Sequence, residues 1–474
     1  MNISQKSGRA ITVRGRERVL IRADVPASRL IGALMLLCVL GSLTVLVVRE
    51  HLGYERLAAG RFGWSLALLA AVALIARGIF LGRPVTAWHA LAAIGAVCAG
   101  VFAHFLSLGM LGNILIAVSG LALMLPTTAR PQPEMLEQVW PLVNATCGDP
   151  LAPFAMHSSK SYHFNADKTA AIAYRSRLGF AVVGGDPIGD ATQFDNLVVD
   201  FARMCRSRGW RIIVLACGDR YLGLWRADRI GSPTLTVPIG RDVVVDIDHF
   251  TLAGRRCRNL RQAVQRTHNC GVTTEVVDEQ NLDGALISEL TEVLYAAHRA
   301  ARSERGFCMN LDGVLQGHFP GVKLAIARDG RGRMAAFHRY TTAGHGSEVS
   351  LDVPFRRPDA PNGVDERLTV DMIAEAKAHN AQRLSLAFAA FPEIFDATHP
   401  GLWQRVAYRL IHLLDPLIKL ESLYRYLRKF HAMAERRYVV LCAHHIPPAL
   451  MVLLSLEFMP RPRRLRVPRR SAAG

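Results

Sequence analysis

The sequence predicts a protein of two parts, in which transmembrane helices precede mixed α/β domains. The chain has 474 residues and a formal net charge of +18, yet half of it is apolar. Its first 130 residues hold only 13 of the 57 Lys and Arg residues and 4 of the 39 Asp and Glu residues. A charge-poor first part and a charge-rich remainder exclude a disordered or collagen-like chain and indicate a membrane region joined to globular domains.

Four stretches in the first part are long and apolar enough to cross a membrane. Each approaches the roughly 20 residues needed to span the hydrocarbon core and holds at most one Asp, Glu, Lys or Arg: 30–48, 64–82, 87–106 and 107–126. Seven Lys and Arg residues precede the first stretch and three follow it, so we expect a multi-pass protein of the cell membrane with its large domain in the cytoplasm. The helices are predicted to be an anchor, with lipid handling or transport as the alternative.

The remaining chain alternates between strand and helix patterns. Its first half contains apolar, β-rich runs at 169–174, 180–183, 211–217 and 243–247 and a helical pattern at 196–206. Its second half predicts a helix at 286–302, a hairpin of strands 323–328 and 333–341, a third strand at 348–353, a helix at 364–379 and a strand at 383–389. This order is similar to the core of the GCN5-related acyltransferase fold, and the first half is a candidate for a more diverged copy.

The predicted fold class is therefore α/β (α+β), with tandem GCN5-related acyltransferase-like domains after an all-α region of four transmembrane helices. The predicted divisions are a basic cytoplasmic N-terminus, the membrane region, a linker, two acyltransferase-like domains and an interfacial helix with a basic tail: 1–28, 29–126, 127–148, 149–270, 271–442 and 443–474. The last segment joins an apolar run to six arginines, which favours a helix lying on anionic lipid headgroups. A core helix followed by a disordered tail is the alternative.

The loop after the third strand of the second half is the first candidate site. It lacks the Gly-rich turn that holds pyrophosphate in acyl-CoA-dependent enzymes, so a coenzyme A donor is not expected. It supplies two arginines, Arg356 and Arg357, and an Asn362-Gly363 start to a helix whose free N–H groups favour negative charge. Asp352 and Glu366 stand at its ends and are expected to face one cleft as catalytic groups. A rigid surface turn with solvated charges is the alternative.

The stretch 158–441 resembles the cytoplasmic domain of the phosphatidylglycerol lysyltransferases, or aminoacyl-phosphatidylglycerol synthases, especially the mycobacterial type. The similarity rests on several long motifs in the same order: 185–189, 252–264, 350–352 with 356–364, 384–391, 420–424, Lys429-Phe430 and Arg437-Tyr438. The chain departs from the family pattern at Val353-Pro354-Phe355, and the family's Pro-x-Trp before Arg437 is missing.

This resemblance implies transfer of an amino acid, with lysine as the first choice, from aminoacyl-tRNA to the glycerol hydroxyl of phosphatidylglycerol. Asp352 and Glu366 would then activate the hydroxyl or recognise the amine, and Arg356 and Lys429 would bind the lipid phosphate or the terminal adenosine. Arg357, Asn362 and Asp186 complete the candidate substrate site, although Asp186 is equally a turn residue that caps backbone N–H groups. No cofactor and no metal are expected. The alternatives are another lipid or amine acceptor, or a catalytically lapsed protein that binds lipid or tRNA.

A basic amphipathic helix is a second candidate surface. Apolar residues recur at helical spacing from Ala253 to Val264, and between them stand four arginines of interest: Arg255, Arg256, Arg258 and Arg261. These arginines are predicted to bind phosphates of tRNA or of anionic membrane lipids. A solvated helix face is the alternative.

Overall fold

The computed structural model describes residues 19–21, 26–51, 59–80, 82–300, 310–390, 392 and 420–457. The chain divides into two compact units, one centred on the apolar N-terminal helices and one on a large sheet. Some predictions lie outside the described residues. They concern the first 18 residues, most of 391–419 and the arginine-rich tail after residue 457.

The first unit contains four apolar helices and a small two-stranded sheet. Its elements are β1 (Val19–Ile21), α1 (Pro26–His51), α2 (Ala59–Phe80), β2 (Val85–Thr86), α3 (Ala87–Phe105) and α4 (Gly109–Met124). Strands β1 and β2 pair antiparallel. Gly120 allows α2 and α4 to approach closely, because a Cβ at Gly120 would lie 2.4 Å from the carbonyl oxygen of Ala71.

Two of the four predicted membrane spans are supported by length and composition. Gly63–Phe80 in α2 and Ala87–Phe105 in α3 are long and apolar enough to cross a membrane. The apolar parts of the other two helices, Leu30–Val45 and Gly109–Met124, are shorter. A span needs about 20 residues at 1.5 Å per residue. Of the four predicted spans, two are therefore confirmed as long and apolar enough, and the other two stay predictions.

The second unit is built on a sheet of twelve described strands. The strands are β3 (Ser161–Phe164), β4 (Ala170–Arg177), β5 (Phe180–Gly184), β6 (Ile188–Gly189), β7 (Arg211–Gly218), β8 (Thr234–Asp246), β9 (Thr273–Asp278), β10 (Val322–Arg328), β11 (Met334–Ala343), β12 (Glu348–Arg356), β13 (Arg383–Ala390) and β14 (Met433–Cys442). Their order across the sheet is β3-β4-β5-β7-β14-β8-β13-β12-β11-β10-β9, and β6 pairs with β4.

The helices of this unit are mostly short. They are α5 (Leu136–Ala145), α6 (Phe194–Ser207), α7 (Ala227–Ile230), α8 (Arg258–Asn269), α9 (Gly284–Ala300), α10 (Val364–Ala378), α11 (Leu420–Arg428) and α12 (Ile446–Glu457). The predicted order of helix, three-strand meander, helix and strand is confirmed by α9, β10 to β12, α10 and β13. The predicted turn at 329–332 is confirmed too, because the Asp329 carboxylate accepts bonds from the N–H groups of Arg331 and Arg333.

The last of the described strands contributes to the first half of the sheet. Strand β14 lies between β7 and β8 and pairs antiparallel with both. It falls within the predicted second domain, 271–442, but its neighbours belong to the predicted first domain. Sequence patterns did not locate β3, β9, α5 or β14. Of these, β9 and β14 pair with strands far away in the chain, which local patterns do not reveal.

Successive residues of β11 point to opposite faces of the sheet and enter two different cores. On one face Tyr340 packs in a cluster with residues of α8, α10 and α11. On the other face Phe337 packs against Leu290 and Leu294 of α9. We call these the α10 face and the α9 face. They decide which of the predicted site residues can meet.

Candidate functional site

Strands β12 and β13 pair over a short distance and leave the loop before α10 beside their open ends. They are parallel, and their described pairing covers only Glu348 to Ser350 against Arg383 to Ser385. Strand β12 nevertheless continues to Arg356 and β13 to Ala390. Helix α10 begins at Val364 after Gly363, whose φ of +99° suits glycine, and a Cβ there would lie 2.6 Å from the carbonyl oxygen of Ala263.

Glu366 and Lys429 form the central ion pair of the α10 face. The Lys429 Nζ donates to Glu366 Oε1 at 2.5 Å. Glu366 lies in the first turn of α10, where the helix dipole favours a carboxylate, and Lys429 directly follows α11. The structure therefore brings together two of the residues that the sequence analysis selected.

Asp365 lies next to Glu366 and contacts both Arg356, with which it forms a second ion pair, and His338. Sequence reasoning missed Asp365 and His338. Asp365 Oδ1 lies 3.2 Å from His338 Nε2, and Asp365 Oδ2 lies 3.2 Å from Arg356 Nη1. Burial alone would raise the pKa of Asp365, but its hydrogen bond with His338 and the charges of Arg356 and Lys429 outweigh burial and lower that pKa. The carboxylate is accordingly ionised at neutral pH.

Arg356, Lys429, Asp365 and Glu366 together form what we call the ion-pair cluster. Its two cations are more exposed than its two carboxylates. The side chains of Arg356 and Lys429 are 54% and 36% exposed, whereas those of Asp365 and Glu366 are 24% and 10% exposed. The site thus presents positive charge to solvent and holds its carboxylates behind it. Such an arrangement suits a phosphate group, with the guanidinium and ammonium as donors.

Asp352 belongs to a different network on the opposite face. The pairing of β11 with β12 skips from Arg339 opposite Val353 to Tyr340 opposite Leu351, so Asp352 is the extra residue of a bulge. Its Oδ2 accepts from Arg339 Nη1 at 2.9 Å, and its Oδ1 accepts from the Leu311 N–H at 2.7 Å. The Asp352 side chain is fully buried.

The expectation that Asp352 and Glu366 face one cleft is not supported. Arg339 is on the α9 face with Asp352, while its neighbour His338 is on the α10 face with Asp365. Arg339 also donates to Glu279 at 2.7 Å. Burial raises the pKa of Asp352 to about 6, against the opposing charge of Arg339. This network connects β11, β12 and the segment after β9, and we regard it as structural.

The other loop residues have separate roles in the structure. Arg357 donates to the carbonyl oxygen of Met334 and to Glu292 of α9, at 2.9 Å each, so it is directed away from Glu366. Asn362 is exposed at the approach to α10. Among the described residues, neither Arg357 nor Asn362 contacts either ion pair. Their predicted substrate-binding roles stay predictions.

The predicted basic helix is partly correct. Helix α8 begins at Arg258, and Leu260, Ala263, Val264 and Thr267 form its buried side. Arg255, Arg256 and Arg258 are exposed at its start, while Arg261 turns back to donate to the carbonyl oxygen of Leu252 at 2.5 Å. His431, two residues after Lys429, contacts the carbonyl oxygen of Arg256 at 3.1 Å. We call Arg255, Arg256 and Arg258 the basic segment. It begins close to the ion-pair cluster.

Asp186 is part of a buried cluster around Arg437. The Arg437 guanidinium, itself 2% exposed, donates to three carboxylates at 2.7 to 2.8 Å: Asp149, Asp186 and Asp242. Both Asp186 oxygens also accept from the Gly218 N–H. Burial, with repulsion from Asp149, raises the pKa of Asp186 to about 6 even though Arg437 opposes it. The structure therefore favours the turn and capping role of Asp186.

Helix α12 has one buried side and one exposed apolar side. Ala449, Val452 and Leu456 are buried, whereas Ile446, Leu450, Met451 and Leu454 are 42 to 64% exposed. An exposed apolar side is compatible with the predicted interfacial helix, which stays a prediction. Among the described residues, no group of three or more His, Cys, Asp or Glu side chains is placed to hold a metal ion.

The chain is similar in sequence to a known protein family and to two mycobacterial proteins. The family described as phosphatidylglycerol lysyltransferase, C-terminal, matches residues 141–441. The MprF-like domain protein Rv1619 of Mycobacterium tuberculosis is 59% identical over 454 residues, which are 96% of this chain and 94% of that protein. The lysylphosphatidylglycerol biosynthesis bifunctional protein LysX of Mycobacterium ulcerans is 28% identical over 295 residues, or 61% of this chain but only 26% of that protein.

Two solved structures share the fold. The C-terminal domain (DUF2156) from Agrobacterium fabrum has a TM-score of 0.58 and 22% identity, and it covers 69% of this chain and 97% of its own. The structure of L-PGS from Bacillus licheniformis has a TM-score of 0.57 and 19% identity, with the same coverage. The family match over most of the sheet unit and the relative at 59% identity confirm the resemblance found in the sequence. This chain belongs to the phosphatidylglycerol lysyltransferase C-terminal family.

Proposed function

We propose that this protein transfers an amino acid, with lysine as the first choice, from aminoacyl-tRNA to the glycerol hydroxyl of phosphatidylglycerol. Family membership supports a lipid aminoacyltransferase. The observation that carries the proposal is the pair of adjacent carboxylates, Asp365 and Glu366, behind the exposed cations Arg356 and Lys429. The apolar helices α2 and α3 support a membrane anchor, and we propose four spans with the sheet unit in the cytoplasm.

The chemistry needs a positioned hydroxyl, a proton acceptor and a phosphate grip. The aminoacyl ester is already activated, so the lipid hydroxyl attacks its carbonyl carbon, and the ribose hydroxyl of the tRNA leaves with a proton. Glu366 is the proposed acceptor of the hydroxyl proton, which it then returns to the leaving ribose oxygen. Arg356 and Lys429 are the proposed donors to the lipid phosphate. If Lys429 turns toward that phosphate, it gives up its bond to Glu366 and leaves the carboxylate free to act as a base.

A transfer assay tests the proposal directly. The full-length protein in phosphatidylglycerol vesicles is given total aminoacyl-tRNA with labelled amino acids, with or without ribonuclease. We expect label to enter phosphatidylglycerol, to disappear with ribonuclease and to be lysine by mass. A known synthase serves as the parallel control. Label on another lipid or amine would reject the acceptor, and no label would reject the activity.

The basic segment should bind tRNA phosphates in a salt-dependent way. We expect the double variant R255E/R256E to weaken tRNA binding and to reduce the slope of log K against log salt concentration by about 2, because each phosphate contact contributes about 0.9. Fluorescence anisotropy of labelled tRNA against the detergent-solubilised protein measures both. The variant R226E/R331E changes the same number of exposed arginines elsewhere and should keep the wild-type slope. An equal loss in both variants would assign the effect to net charge alone.

A further inference from the structure

A row of hydrogen-bonding groups crosses the core beneath the ion-pair cluster. The hydroxyl of Tyr426 lies 2.6 Å from that of Thr369, which lies 3.4 Å from the hydroxyl of Tyr340. The Tyr340 hydroxyl in turn lies 3.3 Å from His338 Nδ1. Tyr340, Thr369 and His338 are at most 1% exposed, in a region otherwise filled with apolar side chains. Buried polar groups in such a place need partners, and these groups supply one another.

One arrangement of the hydrogens lets every group in this row donate once and ends on the Asp365 carboxylate. Burial raises the pKa of Tyr340 and that of Tyr426, so both phenols keep their protons at neutral pH. Tyr426 then donates to Thr369, Thr369 to Tyr340, and Tyr340 to His338 Nδ1. In this arrangement His338 accepts at Nδ1 and donates from Nε2, which lies 3.2 Å from Asp365 Oδ1. The row ends on the carboxylate.

We propose that His338 is a positioning residue, which holds the Asp365 carboxylate and, through it, the Arg356 guanidinium at the mouth of the site. Its effect on transfer rests on the proposed function, in which Arg356 binds the lipid phosphate. Arg356 is more than half exposed and would otherwise sample many rotamers, so its bond to Asp365 restricts it. His338 reaches no substrate itself, because its side chain is 1% exposed.

Removing the donor should change how Asp365 titrates. The groups that face Asp365 are His338 from β11, Arg356 from β12, Lys429 and Tyr426 from the α11 side, and Glu366 next to it on α10. Without the His338 bond, Asp365 loses one of the interactions that lower its pKa, so that pKa rises. Arg356 then loses its charged partner as pH falls through that raised pKa, whereas the wild-type protein keeps the pair to lower pH.

Two substitutions separate the hydrogen bond from the packing. H338L removes the donor and fills the space, whereas H338Q can still donate to Asp365 with its amide. We expect H338L to raise the KM for phosphatidylglycerol about tenfold, with a smaller change in kcat, and to move the acid limb of the pH profile to higher pH. H338Q should keep a pH profile close to the wild type. Identical pH profiles for all three proteins would overturn the proposal.

A second measurement does not depend on activity. Nitrogen-15 labelling of the histidines, with the H338L spectrum subtracted to identify His338 among the 17 histidines, reports which ring nitrogen carries the proton. We expect a proton on Nε2, and a changed balance between the two ring nitrogens in Y340F, which removes the hydroxyl beside Nδ1. A proton on Nδ1 in the wild type would overturn the proposed bond to Asp365. Should the wild type transfer no amino acid, the proposed function fails while this measurement still decides the role of His338.

Discussion

Replacing Glu366 with glutamine should lower the rate of amino acid transfer at least about a hundredfold. General base catalysis by a positioned carboxylate contributes about 10² to 10⁴ in rate, and an amide of the same shape cannot accept the proton. The Lys429 bond to the side-chain oxygen remains possible, so we expect the fold to survive. Single-turnover transfer from preformed aminoacyl-tRNA to phosphatidylglycerol, at saturating lipid, measures the loss in the chemical step.

Glu375 on the same helix provides the matched control for this experiment. It lies nine residues further along α10, where its partner is His379 near the C-terminal end of the helix. E375Q removes the same charge from the same helix and should leave the transfer rate within about threefold of the wild type. If E366Q were equally active while its thermal unfolding matched the wild type, Glu366 could not be the base.

The substitution of Arg437 by methionine should cause the largest loss of stability in the sheet unit. Breaking a buried ion pair by removing one partner costs about 3 to 5 kcal/mol, because a charge is left buried without compensation. Arg437 compensates three buried carboxylates, Asp149, Asp186 and Asp242. We expect a clear drop in the midpoint of thermal unfolding of the detergent-solubilised protein, with transfer lost through unfolding.

The neighbouring Arg436 is the control, because it is exposed where Arg437 is buried. R436M should unfold within a few degrees of the wild type. The deficit of R437M should also depend on pH. Burial already raises the pKa of Asp242 to about 6, although Arg437 opposes it, and loss of Arg437 raises that pKa further. The folded variant then binds more protons than the unfolded chain, so its stability falls as pH rises and the deficit shrinks in acid. A deficit that grows in acid would contradict this account.

Local patterns in the sequence predicted most of the elements that surround the site. The hairpin of β10 and β11, helix α10, strand β13 and the apolar helices α2 and α3 follow from residue spacing and turn residues within one segment. Glu366 was selected from its place at the end of a loop and Lys429 from resemblance to a family, and the structure brings these residues together. Polar residues in the apolar strand Met334–Ala343, His338 among them, were a signal that the sequence analysis did not use.

Other features depended on contacts between distant parts of the chain. Strand β14 lies between β7 and β8, and its Arg437 meets carboxylates 195 to 288 positions away in the chain. The bulge at Asp352 decides that this carboxylate meets Arg339, and the alternation of β11 puts that pair on the opposite face from His338 and Asp365. By itself, the sequence determined most of the helices and strands around the site, because residue spacing within a segment controls them. Only the tertiary structure decided which charges meet, since that depends on strand order, register and sheet face.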